Sequence, residues 1–136
     1  RLSADKAREI LTGIGWEAER REKAAHAIEA HSFSGGIEPT TLEARIVQDA
    51  DRLDAIGMIG AARCFYVAGR LNNHLYDAGD PAAEERPLND SRFALDHFIT
   101  KLFKLCEGFK TATGRRLAAE RHARLQRFYD DLLEEI

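Results

Sequence analysis

The chain has 136 residues, 44% of them hydrophobic and 32% charged, a size and balance that suit one folded domain with its own core. A formal net charge of -3 gives no general pull toward nucleic acid or an anionic membrane, and no apolar run approaches the roughly 18 residues that span a bilayer. Cys64 and Cys106 are too few for a disulfide framework, and no charged, apolar and small-residue leader precedes the first helix, so a soluble cytoplasmic protein with reduced thiols in its core is expected.

Ser3 is a fair N-cap for a first amphipathic helix with Ala7, Ile10, Leu11 and Ile14 inward, ended by Gly13 and Gly15. A second helix is predicted over 17–30, followed by a loop at 31–36 that Pro39 closes. Thr40 and Glu43 have capping-box spacing and open a central helix. Leu42, Ile46, Val47, Leu53, Ile56 and Ile59 recur on it at helical spacing as a buried stripe. Gly57 and Gly60, with Ala61 and Ala62, offer a smooth surface for another helix, and the helix is expected to continue toward Ala68 and Gly69. Residues 77–90, with two of the three prolines, form a long polar loop. Asp90 or Ser91 then caps a helix through Leu105 with Phe93, Leu95, Phe98, Leu102 and Phe103 inward, and a last amphipathic helix runs over about 113–135. Nothing alternates with strand period for long, so the fold class is all-α, a single bundle of about five or six helices.

Within the central helix, Gln48-Asp49-Ala50-Asp51-Arg52-Leu53-Asp54 places three carboxylates beside an apolar stripe. Asp51 and Asp54, three apart, are surface neighbours whose like charges repel unless a cation, a donor or a proton holds them. The plain alternative is solvation, or pairing with Arg45 or Arg52, and spacing alone leaves both open. Phosphate loops, Cys-x-x-Cys, His-Glu-x-x-His and Gly-x-Ser-x-Gly motifs are all missing. His26 and His31 would point about 140° apart on one helix and make no shared metal face. His31 ends its helix beside Ser32 and Ser34, where an imidazole can reach into a cleft; His74 and His122 read as surface residues and His97 as a core or interhelical one. Lys101 and Lys104 share a helix face and can hold a phosphate or simply be solvated.

The blocks His26-Ala-Ile-Glu-Ala-His31-Ser-Phe-Ser34, Pro39, Glu43-Ala-Arg-Ile-Val-Gln-Asp-Ala-Asp51-Arg-Leu-Asp54-Ala-Ile-Gly57, Leu75-Tyr-Asp77, Arg86-Pro-Leu88 and Arg92-Phe-Ala-Leu-Asp-His97-Phe-Ile-Thr-Lys101-Leu-Phe-Lys104-Leu, in this order, resemble the small bacterial branch of the HD-domain metal-dependent phosphohydrolase superfamily. The resemblance spans nearly the whole chain and implies an all-helical domain. In that family one histidine, a His-Asp doublet and a distant aspartate hold a divalent metal (Mn, Mg, Fe, Ni or Zn), which activates a water against a phosphate ester or a nucleoside polyphosphate. Asp51 matches the distant aspartate. The resemblance makes Asp54 a group that orients the site or pairs with a base, His31 a contact to substrate phosphate or a second metal, and Arg52, Lys101 and Lys104 the cations of a small phosphorylated substrate, a nucleotide among the candidates.

The departures are as informative. No His-Asp doublet occurs; Asp96-His97 is the reverse order in another block. Residues 1–136 therefore resemble the carboxyl-terminal two-thirds of an HD domain, whose histidine and His-Asp doublet would precede Arg1, and 136 residues alone are expected to be inactive because one aspartate does not hold a catalytic metal. The expected function is a metal-dependent phosphohydrolase. The alternatives are a non-catalytic binding or regulatory module with an incomplete metal site, and a homo-oligomerisation domain using the last helix. No membrane partner is expected, and nucleic acid is disfavoured.

Overall fold

A computed structural model describes residues 2–32 and 35–136. Among them are six α-helices, α1 (Leu2–Gly13), α2 (Ala18–Ala30), α3 (Leu42–Leu53), α4 (Gly57–Arg70), α5 (Ala94–Thr100) and α6 (Ala112–Glu134), with a 3-10 helix at Leu102–Cys106. No strand forms among the described residues; a single isolated bridge joins His74 to Phe93, and the all-α class holds. The chain divides into two compact units, Arg1–Arg52 and Leu53–Ile136.

In the first unit α1 packs on α2 through alanines. Ala4 and Ala25 are fully buried, and their small side chains let the helices approach closely. Arg8 fastens the pair from the rim, donating to Glu22 at 2.9 Å and Glu29 at 3.1 Å across the helices and to Asp5 at 3.0 Å within α1. This choice of face corrects the sequence expectation for α1. Ile10 lies about 120° round the wheel from Ala4 and is 53% exposed, while Ile14, beyond the helix end, is exposed as well.

The central helix also differs from its expected form. α3 buries Ala44, Gln48, Asp49 and Arg52, whereas Leu42, Ile46 and Val47 face outward. The physical reason is at the end of α2, where the last carbonyls have no partner inside their own helix: the Gln48 amide donates to the Ala30 carbonyl at 2.8 Å, next to a contact among Ala27, Ala30 and Ala44. The start of α3 is capped by Thr41, whose hydroxyl accepts the Ala44 N–H at 3.1 Å, one residue later than the Thr40 box anticipated. The Thr40 N–H instead donates to His26 Nε2 at 3.0 Å, so this imidazole is an acceptor at Nε2 and ties the loop back to α2. Phe33 and Ser34, part of the expected loop, lie outside the described residues.

In the second unit the expected single helix is broken. α4 begins at Gly57, whose φ of +70° is the left-handed value glycine adopts without cost, after an extended Ile56. Ile56 leaves the helical path to bury itself with Phe109 and Ala118, and the Arg121 guanidinium donates to the Leu53 carbonyl freed by the break. A Cβ on Gly57 would stand 3.1 Å from Arg121 Cβ, so the glycine is where α6 comes close, as the smooth surface anticipated. The core of the unit gathers Ala61 of α4, Leu95 and Phe98 of α5, Leu102, and Leu125 and Tyr129 of α6. Phe98, fully buried, stacks on Phe128 and meets Phe65, Phe103 and Tyr129 with centroids 5.7–6.1 Å away. Thr111 caps α6, its hydroxyl accepting the Gly114 N–H at 2.9 Å.

The long polar segment before α5 is firmly held by side chains. The Asp80 carboxylate accepts the N–H groups of Glu84, Glu85 and Arg86 at 2.9–3.0 Å, which keeps its carboxyl below the usual range. Arg86 then donates through both terminal nitrogens to Asp96 at 2.6 and 2.7 Å while lying over Phe93 at 4.5 Å. Asp96 is 1% exposed; burial pushes its carboxyl up, but Arg86 and the Asn89 N–H, at 2.6 Å, outweigh this and hold it below the ordinary value. The helix expected through Leu105 stops at Thr100, where Lys101 turns out of helical geometry and the chain continues as the 3-10 helix.

Candidate functional site

The acidic stretch is divided by the fold. Asp51 lies near the end of α3 in the first unit and is exposed. His31 follows α2 in the same unit, also exposed, with Nδ1 2.7 Å from the Ile28 carbonyl. A carbonyl only accepts, so Nδ1 carries the hydrogen and Nε2 keeps its lone pair for another partner. Arg52, expected as a substrate cation, is only 4% exposed, and a guanidinium so buried does not present itself to a ligand at the surface. The wheel explains this correction: Arg52 falls four residues after Gln48, on the inward face of α3.

Asp54, Lys101 and Lys104 belong to the second unit. Asp54 has its base: Arg63, on α4, donates to its carboxylate at 2.8 Å and to its carbonyl at 3.2 Å, both side chains being more than half exposed. Lys101 and Lys104 do not share an α-helical face. They are joined by the Lys104 N–H to the Lys101 carbonyl at 3.0 Å at the start of the 3-10 helix, and only Lys101 reaches the cavity described next.

That cavity, about 350 Å³, lies wholly within the second unit between α4, α5 and the 3-10 helix. Val67, Leu71, Leu102 and Leu105 give it apolar walls; Arg63, Asn73, Asp90, His97 and Lys101 give it polar ones. Asp90 Oδ2 sits 3.0 Å from His97 Nδ1 and accepts the Thr100 hydroxyl at 2.9 Å. These two bonds hold the Asp90 carboxyl below its usual range. The carboxylate fixes the imidazole, with Nδ1–H toward Asp90 and Nε2 turned away from it. Cys64 also lines the cavity, but burial, and then the Asp90 charge, push its thiol up to about 11 while its S–H points to the Ala94 carbonyl at 3.5 Å. At neutral pH it is a protonated wall atom, not a nucleophile.

The sequence singled out neither Arg63 nor Asn73, offered Asp90 or Ser91 as a helix cap and read His97 as a core or interhelical residue. The usable signal was Cys64, Val67, Ala68 and Leu71 at helical spacing on α4, an apolar face with polar residues at its edge. His122, read as a surface residue, is half-buried with its ring edge-on to Phe103 at 5.8 Å.

A catalytic dication generally takes three or more protein donors. Among the described residues no group of three His, Cys, Asp or Glu side chains converges, and Asp51 offers one exposed carboxylate. The donors described here do not by themselves fit a metal. No helix among them is long and apolar enough to cross a membrane.

A family model for the HD domain matches residues 1–56, a segment that contains His31, Asp51, Arg52 and Asp54. The Bacillus subtilis (strain 168) protein YpgQ is 36% identical over 140 residues, covering all of this chain and 62% of the relative, so the chain spans under two-thirds of that protein's length. The crystal structure of Bacillus subtilis YpgQ in complex with ADP matches with a TM-score of 0.76 at 34% identity, over 100% of this chain and 63% of that one. An HD-superfamily hydrolase from Bacillus thuringiensis matches with a TM-score of 0.77 at 30% identity, over 97% of this chain and 61% of that one.

Proposed function

We propose, from the match of residues 1–56 to the HD domain and the likeness to an HD-superfamily hydrolase, that the chain is part of a metal-dependent phosphohydrolase that cleaves a phosphate ester or a nucleoside polyphosphate. The observation that carries the proposal is the position of Asp51 inside the HD-matched segment, exposed at the end of a helix, where a carboxylate is available to a ligand. The structural likeness to an HD-superfamily hydrolase and to YpgQ, which has been crystallised with ADP, supports both the activity class and a nucleotide as substrate.

In this account Asp51 is one metal donor. The chain spans only 62% of YpgQ, and the remaining donors are assigned to residues outside the 136. His31 offers Nε2 to a substrate phosphate or a second metal. Asp54, paired with Arg63, and Lys101 belong to the second unit and are proposed there on their own terms, Asp54 as a positioning group and Lys101 as a cation for a phosphate. Lys104, exposed beside it, adds to the same field.

The test is turnover by the full-length protein on ADP, a nucleoside triphosphate and a generic phosphate monoester, before and after chelation and with Mn, Mg or Zn restored. Release of phosphate or pyrophosphate that disappears on chelation and returns with metal is the expected result. Absence of turnover on all three substrates under every metal condition would overturn the hydrolase assignment. It would favour a second reading, a binding module of HD fold.

A further inference from the structure

The outward face of α6, in the second unit, carries its charges in two blocks. Arg124, Arg127, Asp131 and Glu134 fall within one arc of about 80° on the helical wheel. They lie on the side away from the buried Gly114, Ala118, Leu125 and Tyr129, and all four are exposed. Elsewhere on α6 polar neighbours satisfy each other along the helix, Arg116 donating to Glu120 at 2.6 Å and Gln126 to Asp130 at 2.9 Å. Arg127 and Asp131 stand at the same four-residue spacing, yet among the described residues neither they nor Arg124 and Glu134 enter an ion pair. Beside them lies a hollow of about 230 Å³ lined by Met58, Arg124, Arg127, Phe128 and Asp131. Its floor is apolar, with Met58 more than half exposed and Phe128 partly buried.

Taken from its other end, this stripe keeps its spacing and inverts its signs, with bases at 124 and 127 and acids at 131 and 134. When two copies of α6 lie antiparallel about a two-fold axis at the level of Tyr129, Arg124 stands opposite the second copy's Glu134 and Arg127 opposite its Asp131. The two-fold repeats both pairs, as an isologous contact must, and no like charges are directly opposed. Met58 and Phe128 then sit beside the axis, an apolar centre within a rim of arginine and carboxylate, which is the composition that favours a protein interface. We propose that this face of α6 docks a second copy of the same chain, antiparallel, through those reciprocal ion pairs. A nucleic acid or an anionic membrane would meet Asp131 and Glu134 as like charges, and an acidic peptide would be repelled by half of the stripe. A surface with the inverse order of signs matches all four groups, and the chain itself carries one. Residues 124–134 span about 15 Å of helix, which covers less than the ~800 Å² per partner of a standard interface. The association is therefore weak and concentration-dependent, and salt, which screens exposed charges beyond ~3 Å at 1 M, dissociates it. It is independent of the hydrolase reading.

The experiment is sedimentation velocity of the full-length protein over a range of concentrations, at low and high salt, with two charge-inverted variants. Arg124→Glu with Arg127→Glu makes the stripe wholly acidic, and Asp131→Lys with Glu134→Lys makes it wholly basic; circular dichroism and melting establish that both are folded. The wild-type protein should pass from monomer to dimer as concentration rises, and each variant should raise the dimer Kd by ~tenfold or more, because like charges then face each other across the axis. A one-to-one mixture of the two variants should recover the dimer, since the acids of one copy meet the bases of the other at every position. A variant weakened by a local loss of structure would not be rescued in this way. A wild-type protein that stays monomeric at every concentration overturns the proposal. So does a dimer whose Kd is the same in both variants, which would place the contact on another face, and so does a mixture of the variants that remains monomeric.

Discussion

Replacing Asp96 by Asn isolates the interaction that fixes the polar segment 77–90 to α5. The carboxylate is 1% exposed and accepts two short bonds from Arg86 and one from the Asn89 N–H. Removing one partner of a fully buried ion pair costs ~3–5 kcal/mol. Here Arg86 keeps a solvent-facing edge, with 17% of its side chain exposed, and Asn retains one acceptor, so the loss should be smaller, about 2 kcal/mol. With a urea m-value of ~2 kcal/mol per molar, that is a shift of about 1 M in midpoint. The pH dependence supplies an independent check. Arg86 and the Asn89 N–H hold the Asp96 carboxyl below its ordinary value in the folded protein, so the stability it contributes is complete above that ordinary value and is lost as pH falls through the lower folded one. Urea unfolding followed by far-UV circular dichroism should therefore show a constant gap between wild type and Asp96→Asn at pH 5–7 that narrows below pH 3.8. A variant as stable as wild type, or a gap unchanged in acid, would refute the account of this pair.

Phe98→Ala, removing a fully buried ring that touches four other aromatic side chains, should cost ~3–5 kcal/mol in the same assay. Gly57→Ala places a Cβ at positive φ and 3.1 Å from Arg121 Cβ, and a loss of about 1–2 kcal/mol is expected; a neutral result would show that the α4 start is easily rebuilt. Thr111→Ala removes the α6 cap and should cost ~1 kcal/mol, measured by thermal melting. Cys64 should react with iodoacetamide far more slowly than a free thiol at pH 8, because its thiol is pushed up to about 11; mass spectrometry of the modified peptide reads this directly.

The helical class was legible because helix starts, helix ends and apolar spacing are local signals, and α2 and α6 fall within a residue of where the sequence put them. What the sequence concealed depends on contacts between distant residues. The stripe from Leu42 to Ile59 has helical spacing, yet the inward face of α3 is chosen by Gln48, which satisfies an open carbonyl at Ala30, eighteen residues earlier. The break before α4 was hidden for the same reason: Gly57 is tolerable inside a helix, and only the burial of Ile56 against Phe109 and Ala118 requires it to turn. At the candidate site, the resemblance drew attention to Asp51, and the family match includes it. The pairing of Asp90 with His97 escaped notice because it crosses from a loop to α5, and Arg63 because its partner Asp54 lies just beyond the helix in which the sequence had placed it.

The claim on which the functional account depends is that Asp51 supplies an oxygen donor to a divalent metal, and metal content measures it most directly. The full-length protein and its Asp51→Ala variant, purified identically and analysed by inductively coupled plasma mass spectrometry, should differ. Asp51 is exposed, so the variant should fold with a stability within ~0.5 kcal/mol of wild type. The account predicts near-stoichiometric Mn, Fe, Ni, Zn or Mg in the wild-type protein and loss of most of it, together with phosphate release, in the variant. Equal metal content and equal turnover in the two proteins would contradict it.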